Sequence, residues 1–460
     1  MLEARHHAHA AGDLRVALQT TDWVCERLHT WGAWAWEERL YRETATWVDE
    51  GSREQAACHH QLGLIAESRG EYAQAEQWYR RSLSAKEELG DRPGIAADHH
   101  QLGFIAESRG EYGQAEESYR RALTINEELG HRSGIAAGNH QLGRIAQIRG
   151  EYAQAEERYR RALAIREELG DQLGIATGHY QLGRIAEERG AYGQAEQRYR
   201  RALAIREEQG DQIGIAACHH QLGIIAQGRG EYGQAEERYR RALAIREELG
   251  DQIGIAASYH QLGVIASARM EYGKAEEWFR RALAINEELG DRSGVATGYH
   301  QLGVIAELRK DYEQAEQWYL RALAIREESG DRTRIASGYH QLGRIAQARE
   351  EYGQAEEWCR RALAVNEELG NQAGIADTTG QMGVLLTKTG RAAEAVAYTS
   401  RSLRVYTELQ SPKVVIDLHC LASQRRILGD EEFRRLLAEQ FDAEEADAFI
   451  IWLDRQALMR

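Results

Sequence analysis

The apolar positions of this chain repeat with two periods, one nested inside the other. In the stretch "DRPGIAADHHQLGFIAESRGEYGQAEESYRRALTINEELG" (residues 91–130), Ile95, Leu102, Ile105 and Ala106 recur at helical spacing. Tyr112, Ala115, Tyr119, Ala122 and Leu123 form a second apolar stripe at three-and-four spacing. The stretch predicts two antiparallel helices, with Gly110 breaking the chain between them. Gly130 follows the second helix, in the place of a left-handed C-terminal cap. Asp91, Asp171, Asp211, Asp251, Asp291 and Asp331 stand where the next helix needs an N-cap. The same 40-residue frame fits 51–90, 131–170, 171–210, 211–250, 251–290, 291–330, 331–370 and, more loosely, 371–410.

One such pair cannot bury its apolar stripe alone, so successive pairs must stack and share a core that runs along the array. Gly103, Ala106, Ala115 and Ala122 are small enough to let paired helices approach closely. The expected fold is all-α: nine 40-residue units over 51–410, wound as a right-handed α-solenoid with a concave and a convex side. Residues 1–50, with "AGDLRVAL" and "WGAWAWEERLYRETATWV", read as a degenerate N-terminal helical cap. Residues 411–460 read as three short C-terminal capping helices, closed by Phe433, Leu437, Phe449, Ile450 and Trp452.

Leu102-Gly103, Ala106, Gly110, Tyr112, Ala115, Tyr119 and Ala122, repeated from unit to unit, resemble the tetratricopeptide repeat (TPR). The period of 40 and the missing unit-closing proline are similar to the long-repeat branch found in kinesin light chains, spindle-orientation adaptors and bacterial signalling NTPases and regulators. The resemblance implies that the first helix of each unit lines the concave groove. Counting Leu102-Gly103 as positions seven and eight, it places positions five, six and nine on the ligand side.

Those positions carry a ladder. Position five is His60, His100, His140, His220, His260, His300 and His340, interrupted by Tyr180 and Gly380. Position six is Gln61, Gln101, Gln141, Gln181, Gln221, Gln261, Gln301, Gln341 and Gln381, where long-repeat relatives commonly hold a peptide backbone with asparagine. An amide offers both a donor and an acceptor, which an extended backbone requires. Position nine varies and includes Phe104, Arg144, Arg184 and Arg344. Arg144 and Arg184 are expected either to select an acidic group flanked by apolar side chains or to be solvated arginines that contact no ligand. Duplication of whole units would copy the same ladder without any ligand, so inherited scaffolding is the competing reading.

Composition narrows the function classes. A net charge of −15 argues against a general nucleic-acid binder. The Arg-Arg pairs on the second helices, such as Arg120-Arg121, are expected to be answered by helical neighbours such as Glu116. Seventeen histidines, if all protonated, would reverse the sign of the net charge, so a pH-tuned affinity for acidic partners is expected. The histidine pairs at 59–60, 99–100 and 219–220 point about 100° apart on a helix and do not converge as metal ligands. Five scattered cysteines form no C-x-x-C pair, and no apolar run approaches the ~18 residues of a membrane span. Neither H-E-x-x-H, G-x-S-x-G nor a P-loop occurs. The sequence therefore predicts a cytoplasmic, non-enzymatic scaffold without cofactor or metal. It is expected to bind a protein or peptide ligand, as a monomer or weak homo-oligomer. The alternatives are a sensor or autoinhibitory module of a larger bacterial signalling system, or a structural self-assembling solenoid.

Overall fold

A computed structural model describes residues 2–458, and every regular element among them is a helix. The chain divides into two compact units, residues 1–225 and 226–460.

The first unit opens with α1 (Leu2–Ala10), α2 (Leu14–Thr30) and α3 (Trp34–Ala45), each packed on the next. Arg5 is buried here; its guanidinium donates to Thr21 Oγ1 (2.8 Å), Thr44 Oγ1 (2.8 Å), the Leu40 carbonyl (3.1 Å) and Glu43 Oε2 (3.0 Å). Helix pairs follow: α4 (Arg53–Ser68) with α5 (Tyr72–Leu89), α6 (Arg92–Ser108) with α7 (Tyr112–Leu129), α8 (Arg132–Ile148) with α9 (Tyr152–Leu169), and α10 (Gln172–Glu188) with α11 (Tyr192–Gln209). The next helix, α12 (Gln212–Gly228), carries the boundary between the units.

The second unit holds α13 (Tyr232–Leu249), then α14 (Gln252–Ala268) with α15 (Tyr272–Leu289), α16 (Arg292–Leu308) with α17 (Tyr312–Ser329), and α18 (Arg332–Ala348) with α19 (Tyr352–Glu368). The pair α20 (Gln372–Lys388) and α21 (Ala392–Glu408) is followed by α22 (Val414–Leu428), α23 (Asp430–Ala438) and α24 (Ala443–Leu458). These last three share a core with the end of the array: Leu403, Leu421, Phe433 and Leu437 are fully buried, and Phe449 and Trp452 are partly so.

The local signals act as the residue pattern predicts. Asp91, Asp171, Asp251, Asp291 and Asp331 each accept a backbone N–H three residues on, and Asp211 does the same from Gly214 at 3.0 Å. In α6–α7 and several other pairs, the second helix presses an aromatic ring onto a glycine of the first. A Cβ on Gly103 would lie 2.7 Å from the Tyr119 ring, and Tyr119 is fully buried. Helices of successive pairs also pack on each other within each unit, as α7 does on α8 and α17 on α18. Glutamates of the second helices bind twice across these seams: Glu76 takes Arg80 four residues on (2.6 Å) and Arg109 of the next pair (2.5 Å). Glu116, Glu156, Glu236, Glu276 and Glu356 repeat that arrangement. The first arginine of each Arg-Arg pair is therefore neutralised locally. The second stacks in several units on the neighbouring indole, as Arg281 does over Trp278 (4.9 Å) and Arg361 over Trp358 (4.9 Å). No helix among the described residues is long and apolar enough to cross a membrane.

Candidate functional site

The ladder falls on the first helix of each pair. Its histidines and glutamines are half-buried, as are Phe104, Arg144 and Arg184, whereas Arg344 is exposed. In the first unit the ladder runs from His60 to Gln221; in the second, from His260 to Gln381.

The two histidines of a pair do different work. Where the second helix carries a tryptophan, the position-four ring stacks on it, as His59 does on Trp78 (5.3 Å), with tyrosine in the same place in Tyr259–Trp278 and Tyr299–Trp318. The position-five ring tilts against the buried tyrosine. The centroids are 5.4 Å apart in His100–Tyr119, His140–Tyr159 and His300–Tyr319, and Tyr180 substitutes against Tyr199 at the same spacing. This packing overturns the expected titration near pH 6.5. Burial pushes His100 and His260 down, and takes His140, His300 and His340 down to about 4. Those rings are neutral through the physiological range, so they do not supply the pH-tuned charge expected from their number.

The buried tyrosine hydroxyl meets position twelve of its partner helix. Tyr79 donates to Glu67 (2.7 Å), Tyr119 to Glu107 (3.0 Å), Tyr199 to Glu187 (2.7 Å) and Tyr319 to Glu307 (2.9 Å). Glutamine accepts instead at Tyr159–Gln147 (3.0 Å) and Tyr239–Gln227 (2.9 Å). Where the ring is Phe279 and has no hydroxyl, position twelve is Ser267.

This Glu-or-Gln choice sets the charge of the basic rungs. Glu107 gives its second oxygen to Arg144 Nε (2.7 Å), and Glu307 gives its own to Arg344 (2.7 Å). Arg184 follows Gln147, whose oxygen is taken by Tyr159 and whose other terminus is an NH2 that cannot accept. Among the described residues, Gln147 Nε2 has no partner and Arg184 has no ion pair. The basic patch read from the sequence thus contains two internally neutralised arginines and one unpaired one.

Position six contributes unsatisfied amides. Gln141 Oε1 and Gln181 Oε1 are shielded without a hydrogen-bond partner, and Gln381 lacks partners at both ends of its amide. Gln381 also lies over the preceding pair, with Nε2 3.3 Å from the place of a Cβ on Gly343. A buried polar atom left unpaired costs about 1–3 kcal/mol, so these amides favour a ligand that supplies the missing partners. Burial disfavours the thiolate form of all five cysteines. Burial pushes Cys25, Cys58 and Cys359 up to about 12, Cys218 up to about 11, and Cys420 upward as well.

Two features escaped the sequence reading. The alternation Glu107, Gln147, Glu187 at position twelve signalled which arginine would be neutralised. Gly380 stood out only as a break in the ladder, although Asp417 from beyond the repeats packs beside it.

Comparison with known proteins places the geometry in context. A sequence profile described as tetratricopeptide repeat matches residues 54–128, 134–208, 254–328 and 334–408, more than half of the chain, and a second profile of the same description matches 215–249. Among solved structures, the apo quorum sensor NprR from B. thuringiensis is 12% identical, with a TM-score of 0.57 over 77% of this chain and 99% of that one. Apo RapI is 17% identical, with a TM-score of 0.51 over 60% and 99% of the two chains. Aspartyl phosphate phosphatase F from Bacillus subtilis is 13% identical, with a TM-score of 0.51 over 76% and 92%. At these identities the likeness is one of fold alone. No curated protein matches the chain.

Proposed function

Since the chain belongs to the tetratricopeptide repeat family, we propose that it is a peptide- or protein-binding scaffold that captures an acidic partner segment along its ladder face. The observation that carries this reading is Arg184, a half-buried guanidinium without a carboxylate among the described residues, on the same first helix as the unpartnered amide oxygen of Gln181 and one pair on from that of Gln141. A segment laid across these helices supplies backbone N–H groups to the two oxygens and a carboxylate to Arg184. Charge-assisted bonds of that kind are about twice as strong as neutral ones. Neutralised Arg144 adds shape and hydrogen bonding rather than net charge. His140, His300 and His340 present neutral, packed rings, so they add no pH dependence to affinity between pH 5.5 and 8.

Three proteins test the reading in a lysate pull-down analysed by mass spectrometry: the native chain, a Gln141→Ala/Gln181→Ala variant, and Gln147→Glu. The last leaves Arg184 in place and gives it an internal carboxylate, as Glu107 gives Arg144. A partner held by the native chain and lost from both variants, each with native circular dichroism, supports capture on this face. Equal recovery from all three overturns it.

A further inference from the structure

The array contains two versions of one buried carboxylate site, and only one of them is complete. In the first unit, Ser82 Oγ lies within hydrogen-bond distance of the Ala56 carbonyl (3.0 Å) and of Asp98 Oδ2 (2.7 Å). Asp98 is fully buried, and two nitrogen groups answer it: His60 Nδ1 on Oδ1 (2.6 Å) and Lys86 Nζ on Oδ2 (3.0 Å). In the second unit, Ser402, Ala376 and Asp417 reproduce the frame. Ser402 Oγ is 2.9 Å from the Ala376 carbonyl and 2.6 Å from Asp417 Oδ2.

Both answering groups have changed there. The histidine position is Gly380 and the lysine position is Tyr406, whose hydroxyl is turned to Asp377. Lys413 is also bound to Asp377. Asp417 is 3% exposed and has no cation within ion-pair distance among the described residues. Its Oδ1 lies 3.2 Å from the place of a Cβ on Gly380, facing the space that the His60 imidazole fills in the first unit. A cavity of about 520 Å³ opens at this point, lined among others by His340, Gln347, Gln381, Asp377 and Asp417. His340 Nδ1, Gln347 Oε1 and both ends of the Gln381 amide are shielded and have no partner among the described residues.

We propose that this cavity is a binding site for a nitrogen cation carrying N–H donors, the imidazolium or ammonium of a peptide side chain, which completes Asp417 as His60 and Lys86 complete Asp98. Delivery by a peptide rests on the scaffold reading above; the chemistry of the cavity does not. Gln381 has one donor and one acceptor for the backbone that carries the group. Lys413, Arg344 and Lys388 also face the cavity, with Asp377 and His340. They set the local balance of charge, and burial among them pushes the Asp417 carboxyl up to about 6.

The test uses small probes and the full chain. Imidazole, n-butylammonium and tetramethylammonium are titrated at pH 7 and followed by saturation-transfer NMR, with native chain, Asp417→Asn and Tyr406→Lys. Imidazole and n-butylammonium are expected to bind saturably and compete, while tetramethylammonium, which has no N–H, does not. Asp417→Asn should weaken both by at least ~10-fold, the loss of one charge-assisted contact. Tyr406→Lys restores the internal ammonium and should weaken them equally, which keeps the test decisive if the asparagine variant fails to fold. Absence of saturable binding, or binding unchanged in the folded variants, overturns the proposal. Because no peptide is used, that failure is separate from failure of capture at Arg184.

Discussion

At the scale of the residue, identity at a few positions decides what an otherwise duplicated unit can do. A single amide, Gln147, leaves Arg184 unpaired, whereas Glu107 and Glu307 neutralise Arg144 and Arg344. The ladder itself was legible in the sequence, but its electrostatics were not. Neutralisation runs from one unit to the next, across 37 positions of chain in Glu107–Arg144, and burial of the rings is a tertiary property. The turns offer another residue-scale test. Gly110, Gly150, Gly190 and Gly230 hold a left-handed backbone after the first helix, and Met270, Lys310 and Glu350 hold it with φ of 61, 62 and 65° in later units. A side chain in that conformation costs about 1–2 kcal/mol relative to glycine. Met270→Gly, Lys310→Gly and Glu350→Gly should therefore each raise stability by roughly 1 kcal/mol, read as a higher urea midpoint with an unchanged slope.

At the scale of the element, the helix pair is the piece that the sequence specified best. Period, caps and small residues were all local signals, and all of them describe one pair. Two glycines of the same pair make the point experimentally. A Cβ at Gly103 would drive into the Tyr119 ring, while nothing lies within 4 Å of one at Gly113. Gly103→Ala should destabilise by about 1–3 kcal/mol through overpacking. Gly113→Ala, in an exposed helix start, should stabilise by about 0.5–1 kcal/mol. Matched urea titrations check the opposite signs; equal effects would show that the ring is free to retreat. The last helices were harder to read. Asp417 lies one residue out of the 40-residue frame relative to Asp98, so no periodic reading pairs it with Ser402 and Gly380.

At the scale of the whole molecule, the acid response collects the buried groups of both units. His140, His300 and His340 titrate near 4 when folded and near 6.5 when unfolded. Between those values the unfolded chain binds more protons, so stability falls as pH drops from about 6.5 to 4. Asp417 acts in the opposite sense. Its folded value of about 6 exceeds the ordinary 3.8, so protonation between about 6 and 4 relieves a penalty that is complete above pH 6. Asp417→Asn should raise the melting temperature at pH 7.5 and steepen its decline toward pH 5. A variant that melts lower at pH 7.5 would mean that the carboxylate is satisfied within the chain.

Because Glu116 grips an arginine of the following pair, Arg149, and Glu76, Glu156, Glu236, Glu276 and Glu356 offer the same handle, the unit behaves as an interchangeable cassette. Excision of residues 131–170 brings Glu116 opposite Arg189 and Glu107 opposite Arg184, both familiar pairings. The shortened array should fold with undiminished cooperativity, yet the unpaired Arg184 is now quenched. Copy number and ligand preference are thereby tied together: a lineage that gains or loses a cassette rewrites what the remaining ones can hold, without any point mutation.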